Sequence, residues 1–201
     1  MSDLLLIRHG QSTYNLQNRF TGELDVPLSD NGIKEAEEAA IKLKDYKIDI
    51  AYTSTLKRAI DTLHIILDMK KENHIPVIEN SALNERNYGD LQGLNKADIA
   101  KKYGDAQVVL WRRSYTATPP GGESLKDTGA RVIPYFQSLI CKNLSNNLNV
   151  LVVAHGNSLR AIVKELDVIS DEDIINLNMD TGKIYRYRFD ADLKIVSKNI
   201  L

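Results

Sequence analysis

The sequence predicts an α/β fold. A mostly parallel central sheet lies between helices in a three-layer sandwich, and a cap segment covers the rim at the carboxyl ends of its strands. Three observations predict it. Leu4-Leu5-Leu6-Ile7 and Val150-Leu151-Val152-Val153-Ala154 are unbroken apolar runs, the pattern of strands buried on both faces. Strand-like runs alternate with amphipathic helical stretches, the order that builds a parallel sheet. Both apolar runs end abruptly in polar chemistry, Arg8-His9-Gly10 and His155-Gly156-Asn157, and open α/β sheets bind their ligands just past such strand ends.

The first strand is expected over Leu4 to Arg8, followed by a polar loop from Gln11 to Pro27. Ile33, Ala36, Ala40 and Leu43 recur at helical spacing and predict an amphipathic helix over Asn31 to Lys44. Ile48 to Thr53 is the second strand, and Ser54 or Thr55 is placed to cap a helix reaching about Met69. Pro76 to Glu79 is a short third strand. A long polar segment, Asn84 to Gly122, holds two short helical patches near Lys96–Tyr103 and Gln107–Arg113, and its length marks it as functional. Ser124 with Asp127 opens a helix to about Asn143 through a capping box. The strand Asn149–Ala154 follows, then a helix over Asn157 to Leu166 and a short one started by Ser170 and Asp173. Ile184–Phe189 and a weaker Leu193–Val196 complete the strands.

With 201 residues, 43% of them hydrophobic, the chain suits one domain over residues 1–201. Lys+Arg number 26 and Asp+Glu 27, so no global field draws in nucleic acid or an anionic membrane. An anion site must therefore come from cations gathered locally. Cys141 is the single cysteine, which excludes an intrachain disulfide and suits a reducing compartment. No apolar run approaches the roughly 20 residues of a membrane span. The first strand starts at once, so no leader is expected and the expected location is cytoplasmic.

The residues that carry chemistry cluster at strand ends. His9 follows the first strand, and Gly10 lets the chain turn sharply beside it. A lone histidine is ordinarily structural, but Arg8 is costly to bury without an anion, and the motif contains no acid. Asn15, Thr21 and Gly22 lie in the following loop and supply donors suited to phosphate, as many loops do. Arg58 falls in the first turn of the helix after strand two, where unpaired N–H groups favour anions; the alternative is a solvated surface arginine. Glu85, in Leu83-Asn84-Glu85-Arg86-Asn87-Tyr88-Gly89, is electrostatically odd beside an anion site unless it carries a proton; the alternative is a surface pair with Arg86. Lys96, Arg112 and Arg113 add three cations, the last two bracketed by Trp111 and Tyr115. A second anion on the substrate accounts for them better than a nucleic-acid patch. The four histidines lack metal-ligand spacing, so no metal is expected, and no Gly-rich nucleotide phosphate loop is present.

Together these stretches resemble the histidine phosphatase superfamily, and within it the cofactor-dependent phosphoglycerate mutases. The matching segments are LIRHGQSTYNLQNRFTGELDVPLS, YTSTLKRAIDTL, LNERNYGDLQGLNKAD, VVLWRRSY, PPGGESLKDT and VVAHGNSLRAIVKELDVISDEDI, spanning about Leu4 to Asp192. RHG alone marks only the superfamily, whereas GLNK, WRRSY and AHGNSLRA together are specific for the mutases. The resemblance implies interconversion of 3-phosphoglycerate and 2-phosphoglycerate in glycolysis and gluconeogenesis, primed by 2,3-bisphosphoglycerate and without a metal. It implies that His9 becomes phosphohistidine. Arg8, Arg58 and His155 would then hold the transferring group with help from Asn15 and Asn157, and Glu85 would move the substrate's hydroxyl proton. Thr21, Gly22, Tyr88, Lys96, Arg112 and Arg113 would hold the carboxylate and the second phosphate.

The chain departs from that pattern in several places. Glu23 stands where a tryptophan is common, Asn87 occupies a position usually filled otherwise, and Met179-Asp180 replaces an Ile-Pro pair. Many mutases carry an extra segment between Pro120 and Gly121, and longer members continue past Leu201 over the site. The first difference leaves monomer and dimer both open; the second bears on how phosphohistidine is shielded from water. A phosphatase on the same scaffold is the second expectation. A non-catalytic phospholigand module is the third, disfavoured because both His9 and Glu85 are present.

Overall fold

The computed structural model describes all residues 1–201. Six strands form one sheet in the order β3-β2-β4-β1-β5-β6. They are β1 (Ser2–Arg8), β2 (Ile50–Thr53), β3 (Val77–Glu79), β4 (Val150–Ala154), β5 (Ile184–Phe189) and β6 (Ile195–Ile200). The first four run parallel, while β5 and β6 join antiparallel at one edge. The mostly parallel sheet therefore holds, and the last strand lies further along the chain than its weak apolar pattern indicated.

Alternation along the strands divides the core into two layers. Leu4 and Leu6 of β1, with Val150 and Val152 of β4, face one cluster with Val132, Phe136, Leu159 and Ile162. Leu5 and Ile7, with Leu151 and Val153, face the other with Ala39, Leu43, Leu63 and Ile66. Helices α2 (Asp30–Lys42) and α3 (Lys57–Lys70) cover this second face. The first is covered by α6 (Leu125–Tyr135), α7 (Cys141–Ser145) and α8 (Gly156–Leu166). All seven residues of the two apolar stretches Leu4–Ile7 and Val150–Val152 are at most 1% exposed, which is why no alternation shows in the sequence.

Local signals explain most boundaries. Ser124 Oγ accepts from Asp127 N at 3.1 Å while Asp127 Oδ2 accepts from Ser124 N at 2.9 Å, the reciprocal cap the sequence predicts. The helix it starts is not continuous to Asn143. A π turn over Phe136–Ile140 separates α6 from α7, immediately after Pro134, which supplies no N–H to the ladder. The turn buries both Phe136 and Ile140. Neither Ser54 nor Thr55 caps α3. Leu56 occupies that position and has no side-chain acceptor to offer, while the Ser54 hydroxyl lies 2.6 Å from His155 Nε2. A four-residue helix, α1 (Thr13–Leu16), breaks the loop read as irregular, nucleated by a Ser12–Asn15 capping box.

Between β3 and α6 the chain forms α4 (Lys96–Tyr103), α5 (Asp105–Arg113) and single 3-10 turns. These rest on a small cluster of their own, in which Phe20 and Tyr88 meet Leu91, Ile99, Val108 and Trp111. Backbone crossings hold the loops that ring this region. A Cβ on Gly89 would lie 2.2 Å from Pro120 O, and one on Gly122 would lie 2.6 Å from Asn87 O. Asp90 N donates to Pro120 O at 2.9 Å and Glu123 N to Asn87 O at 2.8 Å across the same crossing.

A second crossing seats the loop after β1 on α2. A Cβ on Gly10 would meet Gly32 O at 2.1 Å, and one on Gly32 would meet Gln11 O at 2.0 Å. Gly32→Ala ordinarily adds about 1 kcal/mol to helix stability. Here the new methyl group strikes main chain, so the substitution is expected to cost about 1–3 kcal/mol instead. A lowered urea midpoint with an unchanged slope measures it; a raised midpoint contradicts the crossing.

Candidate active site

Parallel pairing of β1 with β4 sets Arg8 opposite Ala154, so the two strands end side by side. His9 N donates to Ala154 O at 2.9 Å, continuing the ladder by one step. The rings of His9 and His155 consequently lie 4.9 Å apart, centroid to centroid. Both are buried, at 2% and 0% exposure.

The tautomer of His9 follows from its partners. Nδ1 lies 2.7 Å from the carbonyl oxygen of Gly10, which can only accept, so Nδ1 carries the proton. Nε2 is left with its lone pair and accepts from Arg58 Nε at 3.2 Å. Burial lowers the His9 pKa well below the ordinary imidazole range, and the charges of Arg58 and Arg8 lower it further. His155 is depressed for the same reasons, burial first, then Arg58, His9 and Arg8. Both rings are thus neutral at pH 7. Ser54 Oγ sits 2.6 Å from His155 Nε2 and accepts from Leu56 N, fixing that ring through the end of β2.

The cations are held in an unusual way. Arg58, fully buried, donates to Gly22 O at 2.7 Å and Leu24 O at 2.9 Å, which rules out the surface alternative. Arg8 donates to Met179 O at 2.9 Å. Arg113 donates to Leu177 O at 3.3 Å and Asn178 Oδ1 at 3.1 Å. None of these three guanidinium groups forms an ion pair within the chain; the pairs lie elsewhere. Burial brings Arg58 down to about 10 and Lys96 down to about 8, with Arg112 and Arg8 adding to the effect on Lys96. Such groups favour any anion that enters.

One carboxylate belongs to this wall. Glu85 Oε1 accepts from Arg86 N at 2.9 Å and from Asn157 N, in the first turn of α8, at 3.0 Å. A Cβ on Gly156 would stand 3.6 Å from Glu85 Oε2 and 3.7 Å from Arg8 Cζ, so acid and base flank one spot. Glu85 is buried and the Arg86 guanidinium turns away to Tyr88, which removes the surface-pair alternative.

A polar cavity opens above the two histidines. Arg8, Asn15, Thr21, Gly22, Glu85, Tyr88, Lys96, Arg112, Arg113 and Asn157 all line it. His9, Arg58 and His155 lie beneath. Every residue singled out from the sequence is therefore in one place, although their engagements differ. Thr21 Oγ1 is buried without a partner, free for a ligand. Asn15 Oδ1 is committed to Ser12 N, and the Tyr88 hydroxyl accepts from Arg86 Nη2 and Asn157 Nδ2. Gly22 adopts φ +56°, and a Cβ there would strike the Gln92 side chain at 2.0 Å. Nowhere do three His, Cys, Asp or Glu side chains converge as a metal site requires.

Sequence reading missed Ser54, Arg86 and Arg160. Ser54 ends a strand just as the two histidines do, and that shared position was the available signal. Arg160 sits in the run Leu159-Arg160-Ala161-Ile162-Val163, a charge inside an apolar helix face. Arg86 is fully buried beside Glu85 and stacks 4.6 Å over the Tyr88 ring.

The two neutral imidazoles make stability depend on pH. In the unfolded chain each binds a proton below about 6.5, whereas the folded site resists it. The stabilisation is fully present above that pH and is lost as pH falls below it, at up to about 1.4 kcal/mol per pH unit for each ring. Urea midpoints at pH 7.5 and 5.5 are expected to fall steeply on acidification, and His155→Asn to flatten the slope by about half.

Residues 4–199 match the Histidine phosphatase superfamily (branch 1). A protein of Cytophaga hutchinsonii named 2,3-bisphosphoglycerate-dependent phosphoglycerate mutase is 56% identical over 199 residues, covering 98% of this chain and 93% of that one. One of the same name from Allorhizobium ampelinum is 50% identical, covering 98% and 95%. A Bacteroides thetaiotaomicron protein, named 2,3-bisphosphoglycerate-dependent phosphoglycerate mutase 2, is 46% identical over 228 aligned positions, covering 100% and 92%, and so carries residues that this chain lacks. Among solved structures, a mycobacterial glucosyl-3-phosphoglycerate phosphatase in complex with VO3 superposes with a TM-score of 0.85 at 28% identity, covering 100% and 97%. With the match running almost end to end and paired histidines at the carboxyl edge of the sheet, the chain belongs to the histidine phosphatase superfamily.

Proposed function

We propose that this protein interconverts 3-phosphoglycerate and 2-phosphoglycerate through a phosphohistidine, primed by 2,3-bisphosphoglycerate. One observation carries the reading: the cavity has two cationic ends. Arg8 and Arg58 stand at the histidines, while Lys96, Arg112 and Arg113 line the wall formed by α4 and α5. A phosphatase needs only the first end, since water completes its reaction. A mutase must hold a bisphosphate while the molecule reverses, and a second anion clamp serves that need. The names of the relatives, at 46–56% identity, favour the same choice.

The roles follow from the contacts. His9 Nε2, which now accepts from Arg58 Nε, takes the phosphoryl group, and the hydrogen bond from Nδ1–H to Gly10 O holds the tautomer that leaves Nε2 its lone pair. Arg8, Arg58 and His155 surround the equatorial oxygens, where phosphoryl transfer places its charge. Glu85 gives a proton to the departing substrate oxygen and takes one from the hydroxyl that attacks phosphohistidine next. Asn15 and Asn157 assist at the first end, Thr21, Gly22 and Tyr88 at the second. The bisphosphate supplies the phosphoryl group that charges His9, and the paired cationic ends together with the partnerless Thr21 hydroxyl fit such a molecule.

Hydrolysis is the second reading. The phosphatase named among the structural neighbours superposes over the full chain. Phosphorus NMR of 3-phosphoglycerate with and without primer separates the two: primer-dependent 2-phosphoglycerate is expected, and inorganic phosphate alone would overturn the mutase. His9→Ala is expected to abolish turnover and acid-labile phosphoenzyme together. Arg113→Ala is expected to lower mutase turnover by about 100-fold, the usual loss for one charge-stabilising donor, and to reduce hydrolysis of p-nitrophenyl phosphate much less. Equal losses would remove the clamp.

A further inference from the structure

Arg160 is 4% exposed and makes more hydrogen bonds than any arginine at the cavity, yet it pairs with no carboxylate. Nη2 donates to Arg113 O at 2.7 Å and to Ile174 O at 2.7 Å. Nη1 donates to Asn157 Oδ1 at 3.0 Å and, at 3.4 Å, to Arg112 O. The carbonyls of Arg112 and Arg113 belong to the last turn of α5, where the helix itself leaves oxygens unpaired and a cation interacts favourably with the dipole. Arg86 Nη2 reaches the same Arg112 oxygen at 3.0 Å.

We infer that Arg160 is a positioning residue that sets where the clamp arginines stand relative to the phosphoryl-transfer end. The inference rests on the mutase reading for its substrate. Its physical basis is connectivity. Arg160 lies on α8, whose first turn follows His155 and whose Asn157 N–H binds Glu85 Oε1. Through one planar fork this helix is joined to the carboxyl end of α5 and to Ile174 on the turn Asp173–Asn176, while the same fork braces Asn157 on α8 itself. Arg113 in turn reaches Leu177 O and Asn178 Oδ1, just past that turn. The distance between the two anion sites is thus set by a buried guanidinium, not by the flexible side chains that contact substrate. A lysine carries its donors on one nitrogen and cannot replace a fork whose two nitrogens reach α5, the Ile174 turn and Asn157.

The test uses the full-length protein, with Arg160→Lys and Arg160→Met assayed beside Arg113→Ala and the Arg113→Ala/Arg160→Met double variant. Circular dichroism and thermal melting confirm folding, and if the methionine variant fails to fold the lysine variant carries the result. Misplacing a binding group by about 1 Å commonly costs around 100-fold. Arg160→Lys is therefore expected to reduce mutase kcat/KM by 10- to 100-fold, roughly. Hydrolysis of p-nitrophenyl phosphate should fall by a visibly smaller factor. The double variant should lose less than the product of the single losses, because both act through one clamp. Wild-type mutase activity in Arg160→Lys, equal losses of both activities, or strictly multiplicative losses would each overturn the inference. If Arg113→Ala itself shows no selective loss of mutase activity, the clamp reading has failed instead.

Discussion

Main-chain carbonyls, not carboxylates, hold four arginines of this site, and that choice governs the rest. Arg8, Arg58, Arg113 and Arg160 all donate to backbone oxygens. A carbonyl orients a guanidinium through a dipole but leaves its charge uncancelled. The cavity consequently keeps several positive charges facing one another, and they add to the burial that already depresses the pKa values of Lys96 and both imidazoles. An incoming phosphate dianion relieves that repulsion, so binding and catalytic geometry come from the same preorganised frame. The neutral state of His9 comes first from its burial and then from the repulsion of a proton by Arg58 and Arg8.

The frame depends on the fold at few points. Hydrogen-bonded neighbours β1 and β4 place the two rings together, and β2, adjacent to β4, brings Ser54 under His155. The crossing of Gly10 with Gly32 lets the chain turn after His9 without moving α2. α8 begins one residue after His155 and turns its first N–H groups toward Glu85. Glu85, the two histidines and the cations are thus carried by different elements that meet at a single sheet edge. The two departures at Glu23 and Asn87 are also neighbours, since Asn87 Nδ2 donates to Glu23 Oε2 at 3.0 Å. They link the Thr21–Glu23 loop to the Glu85 loop.

Sequence revealed most of this because the central strands β1 and β4 are short, buried and end in chemistry. Apolar runs that stop at Arg8-His9 and at His155 state both the sheet and its functional edge. Contacts between segments distant in sequence were invisible. Ser54 read as a helix cap because capping is local, while its partner His155 is 101 positions away. Arg160 read only as one position of the helix over Asn157 to Leu166, because nothing nearby in sequence shows that the carbonyls of α5 are its acceptors. The π turn after Pro134 likewise reads as plain helix, since Phe136 and Ile140 keep an apolar spacing either way. Site residues carried over from the mutase pattern arrived without their partners, so the sequence did not show which side chains face a ligand and which brace others.

The tight passage at Gly121-Gly122 looks from outside like a convenient place to graft a peptide, with Pro120 exposed at the surface. Its atoms say otherwise. Asp90 and Glu123 both spend their amide protons there, and the two glycines at positions 89 and 122 let the strands of loop touch without side chains between them. An insert at this point has to keep both hydrogen bonds, or it unfastens the stretch bearing Glu85 from the start of α6. A guest sequence is better lodged beside Val168, 88% exposed at the far end of α8, where the chain is already on the outside.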